Sequence, residues 1–252
     1  MTKENFMCKI KNLIKGINRE LFPNGYKCVV CGEELSTNTL YSICDDCMKL
    51  LPFNNGKTCV KCSEPIGNMS QYCIHCKNEK PRYKKNVSVF LYKEPIDKFI
   101  RELKYDNKKY LADTLSNFIA SEVVKMAVNF DYVVPVPIHF DRYKKRGYNQ
   151  AELLCSSLKD KLSLNVDISI LTKSRYTRSQ ANLTRNERIE NLRDSFKVED
   201  KTKVKGKTIL LVDDVFTTGT TINECAKTLL DAGAKEVYSV TLAHANTKVV
   251  YN

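Results

Sequence analysis

The sequence predicts an α/β fold with a mostly parallel sheet and helices on both faces, joined to a small cysteine-rich module near the N-terminus. Two observations support this prediction. Segments with strand and helix patterns alternate beyond residue 86, and four C-x-x-C pairs lie close together in the first third of the chain. A chain of 252 residues is long enough for one sizeable core and one smaller module.

The N-terminal segment has the spacing of an amphipathic helix. Apolar residues recur between Phe6 and Leu21, the first 21 residues hold five basic side chains, and the pattern ends near Pro23. Such interspersed charge does not fit a signal peptide, and no later run approaches the ~20 apolar residues of a membrane helix. We assign residues 1–27 to this helix and its lead-in. We expect a protein located in the cytoplasm, where it can also associate peripherally with the inner face of the membrane.

Eight of the eleven cysteines form the C-x-x-C pairs. They are Cys28, Cys31, Cys44, Cys47, Cys59, Cys62, Cys73 and Cys76. Two residues between cysteines let both thiolates of a tight turn face one ion, and two such turns complete a tetrahedral zinc site. The pattern therefore predicts a double zinc ribbon at residues 28–80 with two Zn²⁺ ions. A closed four-sulfur site leaves no position for water, so the predicted role of zinc is structural.

Two pairings of the C-x-x-C turns are open. The sequential pairing joins the first turn to the second and the third to the fourth, and needs only local closure of the chain, whereas an interleaved pairing joins the first to the third. The sequential pairing is favoured. Cys8, Cys155 and Cys225 receive no chemical role, because Cys225 shares a helical face with Ile222 and Leu229 that is typical of core residues.

A basic segment at residues 77–86 predicts a junction, and residues 81–252 form the α/β domain. Strand patterns occur at 87–92, 131–137, 168–171, 196–198, 208–212 and 236–242, and helical patterns at 96–103, 111–128, 150–162 and 220–230. Strands that alternate with helices favour a parallel sheet covered on both faces.

An acid pair and a threonine-rich turn follow the strand pattern at 208–212. The prediction places both in the loop at the carboxyl end of the strand, where open α/β sheets bind ligands. Backbone N–H groups at a helix N-terminus can hold a phosphate, and two carboxylates suit vicinal hydroxyls. The pattern therefore predicts a ribose 5-phosphate site. Its residues are Asp213, Asp214, Thr217, Thr218, Gly219, Thr220 and Thr221.

Residues 212–221, VDDVFTTGTT, resemble the phosphoribosyl-pyrophosphate signature of type I phosphoribosyltransferases. Residues 134–154 and 171–196, together with the C-x-x-C pairs, resemble the ComF family of competence-associated proteins over nearly all of the chain. The resemblance implies a type I phosphoribosyltransferase-like fold, a site for phosphoribosyl pyrophosphate with Mg²⁺, and Asp213 and Asp214 on the ribose hydroxyls. It also implies handling of single-stranded DNA in natural transformation, with a competence helicase and a recombination mediator as partners.

Two basic segments contain further residues of the predicted binding site. The first contains Arg142, Lys144, Lys145 and Arg146, which suit pyrophosphate or DNA phosphates. The second is a polar, flexible loop with Arg175, Arg178, Gln180, Arg185 and Arg188, and the resemblance implies that it closes over the substrate. Because Tyr143, Tyr148 and Tyr176 lie among these cations, a path for single-stranded DNA with stacked bases is a second use of the charges. A solvated basic surface is the alternative to both.

Two functions therefore stay open. A net charge of +12 favours a DNA-handling protein whose phosphoribosyl site recognises a nucleotide 5-phosphate or phosphoribosyl pyrophosphate. The other function is an enzyme that transfers ribose 5-phosphate to an acceptor with release of pyrophosphate, with Asp213 and Asp214 as its catalytic pair. The sequence identifies no acceptor-recognising residue. A regulator that reads duplex DNA ranks last, because no motif of that kind is present.

Overall fold

The computed structural model describes residues 27–35, 40–67, 70–175 and 185–245. The chain divides into two compact units between Leu50 and Leu51. This division falls inside the range 28–80 that the sequence assigned to one double ribbon, so the two ribbons belong to different units. The predicted helix at residues 6–21 lies outside the described residues.

The first unit contains the first two C-x-x-C turns. Lys27 and Glu34 form a bridge around the first turn, and the N–H of Cys28 donates to the carbonyl of Glu33 at 2.7 Å. Helix α1 (Asp45–Leu50) begins directly after the second turn opens at Cys44. Acidic residues in its first turn and a lysine in its last turn complement the helix dipole.

The second unit begins with the other two C-x-x-C turns. Thr58 and Pro65 form a bridge around the third turn, and helix α2 (Ile74–Glu79) starts inside the fourth. The Cys73 sulfur caps this helix by accepting from the N–H of Cys76 at 3.5 Å. The ribbon is thus built from short turns that local hydrogen bonds hold in place.

The main sheet of the second unit has four parallel strands in the order β1-β6-β5-β2. The strands of the unit are β1 (Asn86–Leu91), β2 (Tyr132–Pro135), β3 (Leu171–Lys173), β4 (Phe196–Val198), β5 (Thr208–Phe216) and β6 (Glu236–His244), and β3 pairs with β4 in a separate antiparallel ribbon. The helices are α3 (Ile96–Tyr105), α4 (Leu111–Lys125), α5 (Phe140–Arg146), α6 (Gln150–Leu162), α7 (Arg185–Leu192), α8 (Lys201–Val204) and α9 (Thr220–Asp231). The predicted α/β fold class is confirmed.

Strand β5 is longer than its hydrophobic run. The sequence predicted a strand at 208–212 with both acids in the following loop, and this boundary was wrong. Ladder pairing with β6 carries β5 onward, with Asp213 beside Thr241 and Phe216 beside His244. The acids therefore lie within the strand, because backbone pairing continues after the side chains become polar.

The core of the second unit includes its cysteine cluster. One continuous set of buried side chains contains Cys59 and Cys62 of the ribbon and Leu211 and Phe216 of β5. Asn86 joins the two parts, since its amide donates to the carbonyl of Cys62 at 3.1 Å and its side-chain oxygen accepts from Ser239 at 2.9 Å. The second ribbon is thus part of the α/β core. Within the described ranges, no helix has both the length and the apolar character required to cross a bilayer.

Candidate functional site

Asp213 and Asp214 are adjacent in β5 and lie near its carboxyl end. Asp214 is buried, and its N–H donates to Oδ1 of Asp213 at 2.9 Å. Burial, followed by the negative charge of Asp214, raises the pKa of Asp213 to about 7. Asp213 therefore exchanges its proton near neutral pH, and a cation or a hydroxyl donor brought to the pair would favour the charged form.

Lys104, at the end of α3, supplies such a cation. Its Nζ lies 2.8 Å from Oδ1 of Asp214. Burial disfavours the ammonium charge, but the attraction of Asp214 outweighs it, so the pKa of Lys104 is raised. Lys104 was not predicted from the sequence, because it lies 110 positions from its partner in a helix without a motif.

The threonine-rich turn connects β5 to α9. Gly219 has a φ of 77°, and a Cβ at this position would lie 2.5 Å from Cζ of Phe216, so only glycine fits without displacement of the ring. The hydroxyl oxygens of Thr218 and Thr220 are 2.8 Å apart. Gly219 is the N-cap residue of α9 and has no side chain that could cap the helix. The turn has the form expected of a phosphate cradle, with backbone N–H groups and hydroxyls at a helix start.

The first basic segment forms helix α5. Arg142 is half-buried, whereas Lys144 and Lys145 are exposed. Arg146 lies over the ring of Tyr105 with its Cζ 5.3 Å from the centroid, which connects α5 to the end of α3. Arg142 and Arg146 are four residues apart and therefore lie on the same side of α5. The sequence predicted this arrangement for the case in which the segment is helical.

Lys173 on β3 is a further cation that was not predicted as a site residue. Burial, followed by the positive charge of Arg142, lowers the pKa of Lys173 to about 8, while the charge of Asp213 acts in the opposite direction. Lys173 is therefore within electrostatic reach of both Arg142 and Asp213.

The second basic segment is described only in part. Arg175 donates to the carbonyl of Arg193 at 2.7 Å and to that of Asn191 at 3.2 Å. Outside the described residues lie Arg178, Gln180 and Tyr176, and the side chains of Arg185 and Arg188 are also not described.

Tyr148 is not a surface residue. It is buried, and its hydroxyl donates to the carbonyl of Leu103 at 2.6 Å. The interpretation of Tyr148 as a stacking ring is therefore wrong, because the ring packs in the core. Tyr143 is exposed.

The eight paired cysteines form two clusters, with the sequential pairing that the sequence favoured. Within each cluster all four sulfurs lie within 4.8 Å of one another. The Cys31 and Cys44 sulfurs are 3.8 Å apart, and those of Cys62 and Cys73 are 3.6 Å apart. Tetrahedral zinc with bonds of about 2.3 Å separates sulfurs by about 3.8 Å. Both clusters have the geometry of a structural four-thiolate zinc site.

Comparisons with known families agree with both parts of the chain. Residues 144–250 match the family described as phosphoribosyl transferase domain, and residues 17–77 match the double zinc ribbon domain. These two matches correspond to the acid pair with its turn and to the cysteine clusters.

Individual proteins are similar over most of the chain. Competence protein F of Haemophilus influenzae is 30% identical over 87% of this chain and 97% of its own length. DNA utilization protein YhgH of Escherichia coli (strain K12) is 32% identical over 78% of this chain and 88% of its own. Among solved structures, the allosteric regulatory enzyme of purine biosynthesis superposes with a TM-score of 0.38 at 21% identity, covering 56% of this chain and 29% of that one.

Proposed function

The chain belongs to the ComF family, and from this premise we propose that it handles single-stranded DNA during DNA uptake in the cytoplasm. In this proposal the acid pair and the threonine-rich turn bind the ribose 5-phosphate group of phosphoribosyl pyrophosphate or of a nucleotide. A competence helicase and a recombination mediator are its proposed partners. One observation carries the proposal: a surface of exposed aromatic rings and cations runs up to the acid pair.

This aromatic–basic surface comprises the end of α3, the connection to α4, and α5. Its exposed rings are Tyr105 (72% exposed), Phe140 (62%), Tyr110 (58%) and Tyr143 (41%). Its cations are Lys109, Arg142, Lys144, Lys145 and Arg146. Lys104 and Lys108 lie in the same segment but are paired with Asp214 and Glu102. Rings stack on bases regardless of sequence, and the cations between them neutralise the backbone phosphates. The composition suits a flexible, polyanionic strand with unpaired bases.

The surface and the phosphoribosyl site meet at two neighbouring residues. Lys104 is bonded to Asp214, while the ring of Tyr105 lies under Arg146. A strand on the surface would thus reach the acid pair through consecutive residues of α3. This continuity supports one ligand path that serves both the bases and a terminal nucleotide.

Binding of single-stranded oligonucleotides at increasing salt concentration tests this proposal. Several phosphate contacts predict a steep dependence, with a slope of about −0.7 per contact for single strands. Tyr105→Ala should weaken binding by about tenfold without a change of slope, because one stacked base is worth about 1–3 kcal/mol. Lys144→Ala should instead reduce the slope. Val124→Ala, which removes an exposed apolar side chain outside the surface, is the control. A weak association that salt does not affect would reject the proposal.

Phosphoribosyl transfer is the second candidate function, and the position of Lys173 favours it. Lys173 places positive charge within reach of Asp213, where pyrophosphate would depart with the electron pair of the broken C1–O bond. The acceptor would then form the new bond at C1. The carboxylates of Asp213 and Asp214 would hold Mg²⁺, which prefers oxygen ligands and would supply positive charge for the leaving pyrophosphate.

Release of pyrophosphate from phosphoribosyl pyrophosphate, with Mg²⁺ and a panel of acceptors, tests this second function. The double variant Asp213→Asn with Asp214→Asn should abolish release, because the ribose hydroxyls lose their charged acceptors. Release that survives in the double variant would separate the activity from this site. No release with any acceptor would leave a binding site only.

A further inference from the structure

A cavity of about 100 Å³ lies between the second ribbon and the turn that follows β5. The ribbon contributes Glu64, His75 and Glu79 to its walls. The α/β core contributes Phe216, His244 and residues 217–220. The turn that forms the phosphate cradle is therefore also one wall of this cavity. All of these residues belong to the second unit.

His244 is buried at the end of β6 with only 3% of its surface exposed, and it lines the cavity. Its ring stacks on Phe216 with 5.1 Å between centroids and an angle of 28°. In the part of the chain that the structure describes, neither ring nitrogen has a hydrogen-bond partner. A buried polar group without a partner is unfavourable, and a ligand in the cavity would provide the missing partners.

The charged side chains around the cavity disfavour a second phosphate there. Its described lining contains no lysine or arginine but has three carboxylates, those of Glu64, Glu79 and Glu224. Burial lowers the pKa of His244 to about 4, so the imidazole is neutral and offers one donor and one acceptor. Carboxylates accept hydrogen bonds and do not donate them. The cavity therefore suits a neutral ligand that carries N–H groups.

The shape of the cavity suits a single aromatic ring. Tyr83 and Phe216 form aromatic walls that meet nearly at right angles, with 6.2 Å between centroids. A volume of about 100 Å³ is well below the ~300–1,000 Å³ of pockets that enclose a drug-sized ligand. One six-membered heteroaromatic ring is the corresponding fragment.

We propose that this cavity recognises the base of a nucleotide whose 5-phosphate lies on the turn at 217–221, and that it selects cytosine over uracil. The exocyclic amino group of cytosine would donate to the carboxylate wall, and His244 would pair with the ring edge. Uracil presents a carbonyl oxygen in place of the amino group, and this oxygen would face carboxylate oxygens. The inference rests on the proposed phosphoribosyl site, because the phosphate anchors the nucleotide beside the cavity.

Calorimetry on the full chain with three ligands tests the inference and the proposed function separately. Binding of ribose 5-phosphate depends on the phosphate turn and the acid pair alone, because this ligand has no base. Cytidine 5′-monophosphate should bind at least about tenfold more tightly than uridine 5′-monophosphate, since hydrogen bonds to charged groups are the stronger class. If none of the three ligands binds, the proposed phosphoribosyl site itself fails. If ribose 5-phosphate binds and the two nucleotides bind equally, only the cytosine inference fails.

Two variants locate the preference in the cavity. His244→Phe keeps a ring against Phe216 but removes both nitrogens, so the ratio of the two nucleotide affinities should fall towards one. Its melting temperature should not fall, because no described partner is lost. Glu64→Gln should also reduce the ratio, and it carries the test if His244→Phe does not fold. Glu236→Gln, at the other end of β6 and paired with Lys84 at 3.0 Å, is the control and should keep the ratio. An unchanged ratio in both cavity variants would overturn the inference.

Discussion

The two cysteine clusters share one motif but differ in their surroundings. In the first cluster Cys31 is exposed and Cys44 is half-buried, whereas all four cysteines of the second are buried. The second cluster also belongs to the same set of buried side chains as β5 and α9. Zinc in the first cluster thus holds a local turn, while zinc in the second completes a domain core. The C-x-x-C spacing alone does not distinguish these two roles.

Substitution of two cysteines in each cluster should produce the largest difference in stability between the two variants. Cys62→Ser with Cys76→Ser should unfold the second unit, because the apparent binding energy of structural zinc, about 10–16 kcal/mol, contributes directly to folding. Cys31→Ser with Cys44→Ser should lose one zinc ion but keep the melting transition of the second unit. Zinc content and thermal unfolding, measured together, check this prediction. Equal loss of the main transition in both variants would show that the clusters are equivalent.

Replacement of one glycine in each unit by alanine should give the next largest difference in stability between the units. Gly219 and Gly32 have similar φ values of 77° and 81°, but only at Gly219 would a Cβ meet another side chain. Both substitutions incur about 1–2 kcal/mol of backbone strain. Gly219→Ala must also displace the buried ring of Phe216, so we expect a total loss above about 3 kcal/mol and loss of ribose 5-phosphate binding. Chemical denaturation measures the difference, and equal effects at the two glycines would contradict it.

Neutralisation of one lysine in each unit should have a smaller effect. Lys104→Gln leaves the buried Asp214 without its cation, which should lower the free energy of unfolding by about 1.5–3 kcal/mol. Lys49→Gln removes a pair with Asp46 in which both side chains are exposed, and pairs between exposed side chains contribute little to stability. Urea titration of both variants tests this order, and a larger effect of Lys49→Gln would reverse it.

The last expected effect is a change of stability with pH that Asp213 causes. Its pKa is about 7 in the folded chain, so the folded state binds this proton more tightly than the unfolded state, in which an aspartate has a pKa of about 3.9. Stability is therefore highest below pH 4 with respect to this group, and falls as the pH rises from about 4 to 7. Asp213→Asn should remove this dependence, which these two pKa values set at about 2–3 kcal/mol between pH 5 and pH 8. Urea unfolding at pH 5 and pH 8 provides the measurement, and the same slope in both proteins would be inconsistent with it.

Local patterns predicted the fold well. The helix at 150–162 and the strand at 196–198 have the predicted bounds, because their apolar periods match their burial. The turn around Gly219 was predicted because all of its parts are consecutive in the sequence. By contrast, Lys104 and Lys173 reach the acid pair only through tertiary packing, and no sequence period marks them.

The basic segment at 77–86 combines the composition of a linker with contacts in the core. Its charge and its proline are typical of a linker, yet Tyr83 and Asn86 within it are buried, and Asn86 bonds the ribbon to β6. A short segment can carry exposed lysines on one side and core residues on the other. The composition of the whole segment does not reveal which of its residues are buried. The cavity beside it escaped prediction because its walls come from segments far apart in the sequence.

Phe216 has a consequence for how such proteins can diverge. Its ring lies against Gly219 on one side and against His244 on the other. A change at this position would alter the phosphate turn and the base cavity at the same time, so we expect it to resist substitution. Glu64, His75 and Glu79 of the ribbon line the cavity without belonging to the cysteine cluster, so they lack this double role. Selection for a new ligand would therefore act first on the ribbon, which makes the metal-bound module the adjustable part of the architecture.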